Sequence, residues 1–166
     1  IEYVSMLIWG RIFPLISQEK IGFSTRLAIR SIALAYGHTQ DLIESQWKKT
    51  GDLGDVAQEL CTLKKQRSLF SEELTIRKVY TNISKLAGMD GLGSIELKIK
   101  TLSELLSSAK PPESKYVIRT VLEDLRIGIG EGLFRDAIVW AYCPKIVGIT
   151  DEDKFKDAIK KEYNGR

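Results

Sequence analysis

Apolar residues recur at helical spacing along almost the whole chain. Ile95, Ile99, Leu102, Leu105 and Leu106 share one face, and Val117, Val121, Leu122 and Leu125 share another. No segment shows the strict alternation of a half-buried strand, and prolines stand only at 14, 111, 112 and 144. Helix-start signals fall where the periodic stretches begin. Thr39 precedes Gln40-Asp41-Leu42, Thr75 precedes Ile76-Arg77-Lys78, and Ser94 follows Gly93 as an N-cap. Pro111-Pro112 closes one helix and opens the next, because proline is tolerated in a first turn. Thr150-Asp151-Glu152-Asp153 has the form of a capping box. The pattern predicts helices near 2–12, 25–36, 40–48, 53–65, 75–87, 94–108, 112–126, 132–142 and 152–162, and an all-α fold. The longest non-helical connection, 66–74, divides the chain into lobes of roughly 1–65 and 75–166.

The polar interruptions carry the candidate chemistry. Leu125-Arg126-Ile127-Gly128-Ile129-Gly130-Glu131-Gly132 ends one helix, turns through three glycines, and restarts as Leu133-Phe134-Arg135. Such a turn permits close backbone approach, and the restarted helix presents free N–H groups that suit an anion. An earlier stretch, Ile21-Gly22-Phe23-Ser24-Thr25-Arg26-Leu27, repeats it at a constant offset of 106 positions. The matches are Ile21/Ile127, Gly22/Gly128, Leu27/Leu133, Ile32/Ile138, Ala35/Ala141 and Tyr36/Tyr142. The repeat predicts a two-lobed, pseudo-symmetric surface that touches a repeating anion twice. Thr50-Gly51-Asp52-Leu53-Gly54 and Asp90-Gly91-Leu92-Gly93-Ser94 are turns of the same style. Each alone is explained by glycines capping helices. Four together favour anion binding, although Glu131 near a helix start would repel a phosphate unless it points away.

Composition narrows this only slightly. The 166 residues suffice for one domain or two small lobes, with 43% apolar and 28% charged residues. A net charge of +3 neither establishes nor excludes a nucleic-acid partner, since clustering matters more than the sum. Lys115, Arg119 and Arg126 fall roughly on one helical face leading into the glycine turn. Lys98 and Lys100 follow Ser94, Lys48 and Lys49 precede Thr50-Gly51, and Lys64, Lys65 and Arg67 form a further cluster. Taken singly these are solvated faces, with Glu123 able to pair Arg119 or Arg126. Beside exposed helix N-termini they favour contacts to a duplex backbone, which position DNA without reading its sequence.

Other chemistry finds no support. His38 is the only histidine, a solvated residue in the Gly37-His38-Thr39 turn, so a zinc site, a Ser-His-Asp triad and a Cys-His dyad all lack members. Cys61 and Cys143 read as reduced thiols of an intracellular protein, and no metal site or catalytic pair is expected. The aromatic residues follow helical spacing and are expected in the core. No run approaches the roughly 20 apolar residues of a membrane span. The start, Ile1-Glu2-Tyr3, predicts a segment of a longer chain.

An ordered set of segments then resembles a known family. The set comprises Thr50-Gly51-Asp52-Leu53-Gly54-Asp55-Val56-Ala57, Leu74-Thr75-Ile76-Arg77-Lys78-Val79-Tyr80, and Gly93-Ser94 with Lys98. It continues with Lys115-Tyr116-Val117-Ile118-Arg119-Thr120-Val121-Leu122, Leu125-Arg126-Ile127-Gly128 and Arg135-Asp136-Ala137. In order and spacing these are similar to the N-terminal DNA-binding domain of ATP-dependent DNA ligases, the archaeal type especially, from about Tyr3 to Tyr142. The resemblance implies a helical domain that grips the minor-groove face of nicked double-stranded DNA on both sides of the break. The candidate DNA-binding set is Gly22, Ser24, Thr25, Thr50, Gly51, Gly54, Gly93, Ser94, Lys98, Arg119, Arg126, Gly128, Gly130 and Gly132.

The family's adenylated lysine lies in a Lys-x-Asp-Gly motif. The nearest string here, Gly88-Met89-Asp90-Gly91, has glycine in place of that lysine. No catalytic residue and no cofactor are therefore expected in this segment, and ATP and Mg²⁺ are implied only for the parent enzyme. Gln66-Arg67-Ser68-Leu69-Phe70 resembles a short sliding-clamp-binding segment, with Gln66, Ser68, Leu69 and Phe70 as the contact residues and Leu69 where an aromatic is usual. The competing explanation is that Leu69 and Phe70 tuck between the lobes. The segment is expected to be monomeric. Two other readings stand beside the ligase one. Gly128-Ile129-Gly130 also resembles the hairpin of a helix-hairpin-helix DNA glycosylase, and a helical protein-binding scaffold would account for the helices while giving the basic clusters no role.

Overall fold

Helix starts are set by side-chain oxygens that accept the unpaired amides of a first turn. Ser24 Oγ accepts the Leu27 N–H (3.3 Å), Thr39 Oγ1 that of Leu42 (3.4 Å), and Thr75 Oγ1 that of Lys78 (3.1 Å). Asp52 Oδ1 accepts from both Gly54 (2.7 Å) and Asp55 (3.3 Å). The computed structural model describes residues 2–14, 17, 19–64, 73–128 and 130–142. Among them the helices are α1 (Glu2–Ile8), α2 (Thr25–Tyr36), α3 (Gln40–Thr50), α4 (Leu53–Thr62), α5 (Ile76–Ala87), α6 (Ser94–Ser108), α7 (Pro111–Val121) and α8 (Glu131–Tyr142). No strand occurs among the described residues, so the fold is all-α, as the periodicity implies. The helix expected at 152–162 and the Thr150 capping box lie outside the described residues.

Four details differ from the sequence expectation. The N-cap of α6 is Gly93 (φ 82°), and Ser94 is the first helical residue without capping the turn. α1 stops at Ile8 rather than near 12, where the chain turns through Trp9 and Gly10. α4 ends at Thr62, three residues short of the expected 65. α7 stops at Val121 rather than near 126, because Glu123 (φ 56°) and Arg126 (φ 53°) adopt the left-handed conformation, which no α-helix continues.

The chain forms two compact units, Ile1–Arg126 and Ile127–Arg166. In the first, α4 packs along α7 and α2 along α6, while α3 contacts both α2 and α4, and α1 rests on α5. Its core joins Ile32, Tyr36 and Leu60 to Leu102, Leu106 and Ile118, and so draws on both sides of the 66–74 connection. The buried Tyr36, Ser114 and Cys61 inside it have polar partners. Tyr36 Oη donates to Ser114 Oγ (2.7 Å), Ser114 Oγ donates to the Lys110 carbonyl (3.2 Å), and Cys61 Sγ lies 3.4 Å from the Ala109 carbonyl. Burial pushes the Tyr36 phenol well above its ordinary range, only partly opposed by Ser114, so the phenol stays neutral.

In the second unit the described helix is α8. It spans twelve residues, as does α2, and its bounds are those of α2 moved by the 106-position repeat. The glycines ahead of the two helices match as well, Gly22 at φ 59° and Gly128 at φ 69°. The two copies thus share a left-handed glycine and helix bounds at the same offset. The reason is local: a left-handed glycine lets the chain reverse and enter a helix within a few residues.

Candidate nucleic-acid interface

The start of α4 is built around one carboxylate. Asp52 caps the helix through Oδ1, and its Oδ2 accepts from both Arg119 Nε (3.1 Å) and Nη2 (2.6 Å), two charge-assisted bonds converging on one oxygen. Arg126 Nη1 reaches the same oxygen (3.3 Å) and the Gly51 carbonyl (3.2 Å), while its Nε donates to Asp124 (2.7 Å). Burial alone would raise the Asp52 carboxyl. Arg119 and the Gly54 and Asp55 amides outweigh it, holding the group below the usual carboxylate range. Lys115 of α7 also pairs with Asp55 of α4, close to Arg119. The Asp52 and Arg119 side chains are 8% and 11% exposed, so this pair is interior, whereas Arg126 is 46% exposed and faces outward.

A recess of about 450 Å³ opens over this cluster. Its wall brings Ser24 and Thr25 from the start of α2 to Gly51 and Gly54 at the start of α4, with Arg119 and Arg126 across from them. Lys48 and Lys49, both exposed, end α3 just before Gly51, and Arg26 is exposed in the first turn of α2. The recess itself is close to charge-balanced, since Asp52 and Asp124 face the two arginines.

Comparison with known proteins gives this cluster a context. The family model described as "DNA ligase N terminus" matches residues 2–139. The chain belongs to this DNA ligase N-terminal family. Among its relatives, the DNA ligase of Nanoarchaeum equitans is 42% identical over 137 residues, covering 82% of this chain and 24% of the relative. The DNA ligase of Methanothermobacter thermautotrophicus is 41% identical over 139 residues, 84% of this chain and 25% of the relative. That of Sulfurisphaera tokodaii is 33% identical over an alignment of 174 residues that takes in all of this chain and 28% of the relative. The chain thus spans about a quarter of the length of the curated relatives it matches.

Within this ligase N-terminal chain, the residues singled out from sequence take different positions. Ser24, Thr25, Gly51, Gly54, Arg119 and Arg126 converge on the recess. Thr50 adjoins it, its Oγ1 accepting the Asp52 N–H (3.3 Å). Gly54 is buried, and a Cβ there would lie 2.8 Å from Arg119 Cγ, so its backbone meets α7 and not open space. Gly22 lies one turn before the recess, where the nine-tenths-buried Lys98 donates to its carbonyl (3.4 Å). Lys98 thereby ties α6 to the turn before α2, and Gly93 and Ser94 open α6 a turn earlier. Gly128, Gly130 and Gly132 belong to the second unit, with nothing within 4 Å of an added Cβ at any of them. Gln66, Ser68, Leu69 and Phe70 lie outside the described residues.

Sequence reasoning did not single out Asp52, Phe23, Trp47 or Asp124 for the site. Asp52 is the most consequential of these, because it orients both arginines. Its one local signal, an acidic residue two positions before a helical glycine, marks an N-cap and says nothing of arginines far along the chain. His38 is half-buried, not solvated, and its Nε2 is a buried nitrogen with no partner among the described residues.

Proposed function

We propose that this chain is the duplex-binding part of an ATP-dependent DNA ligase, holding nicked DNA by phosphate and minor-groove contacts, without sequence preference, during replication and repair. The observation that carries the reading is the convergence of the Ser24-Thr25 helix start, the Gly51 turn and the outward-facing Arg126 on one open recess. A phosphate oxygen entering it replaces Asp124 as the partner of Arg126 and meets the first-turn amides of α2, which favour negative charge. Exposed Lys48, Lys49 and Arg26 add long-range attraction at the rim. Backbone contacts of this kind position DNA without reading its sequence.

Adenylation is assigned to the remainder of the parent enzyme. The string nearest to the Lys-x-Asp-Gly motif, Gly88-Met89-Asp90-Gly91, begins with a glycine, the exposed C-cap of α5, and has no amine to offer. ATP and Mg²⁺ accordingly have no role assigned to residues of this chain.

The test is a fluorescence-anisotropy titration with nicked duplex over a range of salt. Affinity should fall steeply as salt rises, since each neutralised phosphate releases counterions. Binding that does not respond to salt overturns the reading. Arg126→Ala should weaken binding by about 1 kcal/mol, the scale of a charge-assisted hydrogen bond exchanged for solvent. An unchanged curve would remove Arg126 from the interface.

For Gln66, Ser68, Leu69 and Phe70 we carry forward the sliding-clamp proposal, which rests on the resemblance of the segment. Phe70→Ala should abolish measurable association with an archaeal sliding clamp in calorimetry and leave DNA affinity unchanged. Equal clamp affinity for both proteins would refute it.

A further inference from the structure

The turn between α5 and α6 carries an apolar tip that the packing of the molecule does not use. Leu92 is fully exposed, and Ile95 and Leu97 just behind it are each about half exposed (52% and 51%). Gly91 (φ 90°) and Gly93 (φ 82°) flank Leu92 in the left-handed conformation, and an added Cβ at either would meet nothing within 4 Å. The tip is therefore one side chain wide, with bare backbone on both sides. Single exposed leucines are common, but an exposed apolar trio on a projecting turn marks a contact surface.

The turn also adjoins the recess side of the molecule. Lys98 Nζ, one turn into α6, donates to the Gly22 carbonyl (3.4 Å), and Glu96 pairs with Arg30 of α2 (2.6 Å). Gly22 in turn leads directly into Ser24 and Thr25 on the recess wall. No side chain caps the first turn of α6, because its N-cap is Gly93; the Ser94 amide donates to the Gly91 carbonyl (3.2 Å), which leaves the Ile95 and Glu96 amides beside the tip. A narrow apolar tip with uncapped amides at its base suits a groove about 6 Å wide, walled by phosphates and floored by base edges. A flat protein surface would not use its narrowness.

We infer that Leu92 is a wedge that enters the minor groove of the bound duplex and partly unstacks one base step, with Ile95 packing against the sugar wall. The inference rests on the duplex-binding reading above. Unstacking is offset by the apolar surface that Leu92 removes from water and by the added phosphate contacts of the bent duplex.

The test uses the 166-residue chain and a series of nicked duplexes carrying 2-aminopurine at successive positions on either side of the nick. Binding is followed by anisotropy and unstacking by 2-aminopurine emission on the same samples. The wild-type chain should raise emission at one or two adjacent positions only. Leu92→Ala should abolish most of that rise while weakening binding by no more than about fivefold, the loss of one partly buried aliphatic side chain. Leu92 makes no core contact, so the variant should keep the wild-type circular dichroism spectrum and melting curve. Tight binding by the wild type with no emission change at any position overturns the wedge and leaves the duplex-binding reading standing. An emission rise that survives Leu92→Ala assigns the unstacking to another residue and overturns the wedge equally. Absence of wild-type binding even at low salt sinks both, and the apolar trio would then be a protein-docking surface.

Discussion

Replacing Asp52 with alanine should destabilise the first unit by about 4 kcal/mol, although the residue belongs to no apolar cluster. Two losses combine. Gly54 and Asp55 lose the acceptor of their amides, which costs about 1 kcal/mol at an ordinary N-cap. Arg119, whose side chain is 11% exposed, loses both hydrogen bonds to Asp52 Oδ2, and breaking a buried pair from one side costs about 3–5 kcal/mol. The two are not additive, since both act through one carboxylate. Urea unfolding at neutral pH, followed by helical circular dichroism, measures the total. Asp124→Ala is the control: its carboxylate is 54% exposed and should be worth at most a few tenths of a kcal/mol. Asp52→Asn should fall between, because the amide oxygen can still cap α4 while the charge is gone. A loss below about 1 kcal/mol for Asp52→Ala would show that Arg119 finds other partners at little cost.

The same carboxylate sets a pH signature. Burial raises its pKa, but the arginine and amide contacts win, so the folded value lies below that of the unfolded chain. A depressed carboxyl stabilises the fold fully above the unfolded value of about 3.9 and loses that contribution as pH falls through the folded value. The stability gap between wild type and Asp52→Asn should therefore be constant near neutrality and close below about pH 4. A gap that widens on acidification would contradict the assigned direction.

How legible all this was depends on whether the cause is local. Thr39 and Thr75 were readable as N-caps because the oxygen and the amide it accepts are three residues apart. The Gly22 and Gly128 repeat was readable because one left-handed residue determines each turn. The end of α7 was not, since Leu122 and Leu125 continue the apolar period through a stretch whose backbone has already left the helix at Glu123. Periodicity reports which side faces the core and not whether the hydrogen-bonded ladder persists. Arg119 and Arg126 were found as basic residues leading to a glycine turn, yet their shared partner lies 67 and 74 positions away and leaves no mark in their own neighbourhood. Nor could the sequence show that one core would gather residues from both sides of 66–74. That outcome depends on which helix faces meet.

Glycine is where one residue type has two opposite meanings, and Gly54 decides between them. A glycine at a helix start can leave room for a ligand or for another helix. An added Cβ at Gly54 would stand 2.8 Å from Arg119 Cγ, 2.9 Å from the Lys115 carbonyl and 3.0 Å from Asp52 Oδ1. The Lys115 oxygen is backbone of α7, Arg119 is fixed by its pairing, and Asp52 Oδ1 is receiving the Gly54 amide. None can move away without separating α4 from α7 or opening the Asp52 cluster. Alanine is favoured over glycine in a helix by about 1 kcal/mol, whereas overpacking costs about 1–3 kcal/mol where neighbours can adjust. Here they are held, so Gly54→Ala should lose about 2 kcal/mol net in the urea assay. Gly130→Ala, which meets nothing within 4 Å, should change stability by less than about 0.5 kcal/mol. DNA affinity separates the two meanings. If Gly54 serves helix packing, the alanine variant binds nicked duplex normally at temperatures well below its lowered melting point. Unchanged stability with lost binding would return Gly54 to the interface and show that α4 and α7 can part to admit the methyl group.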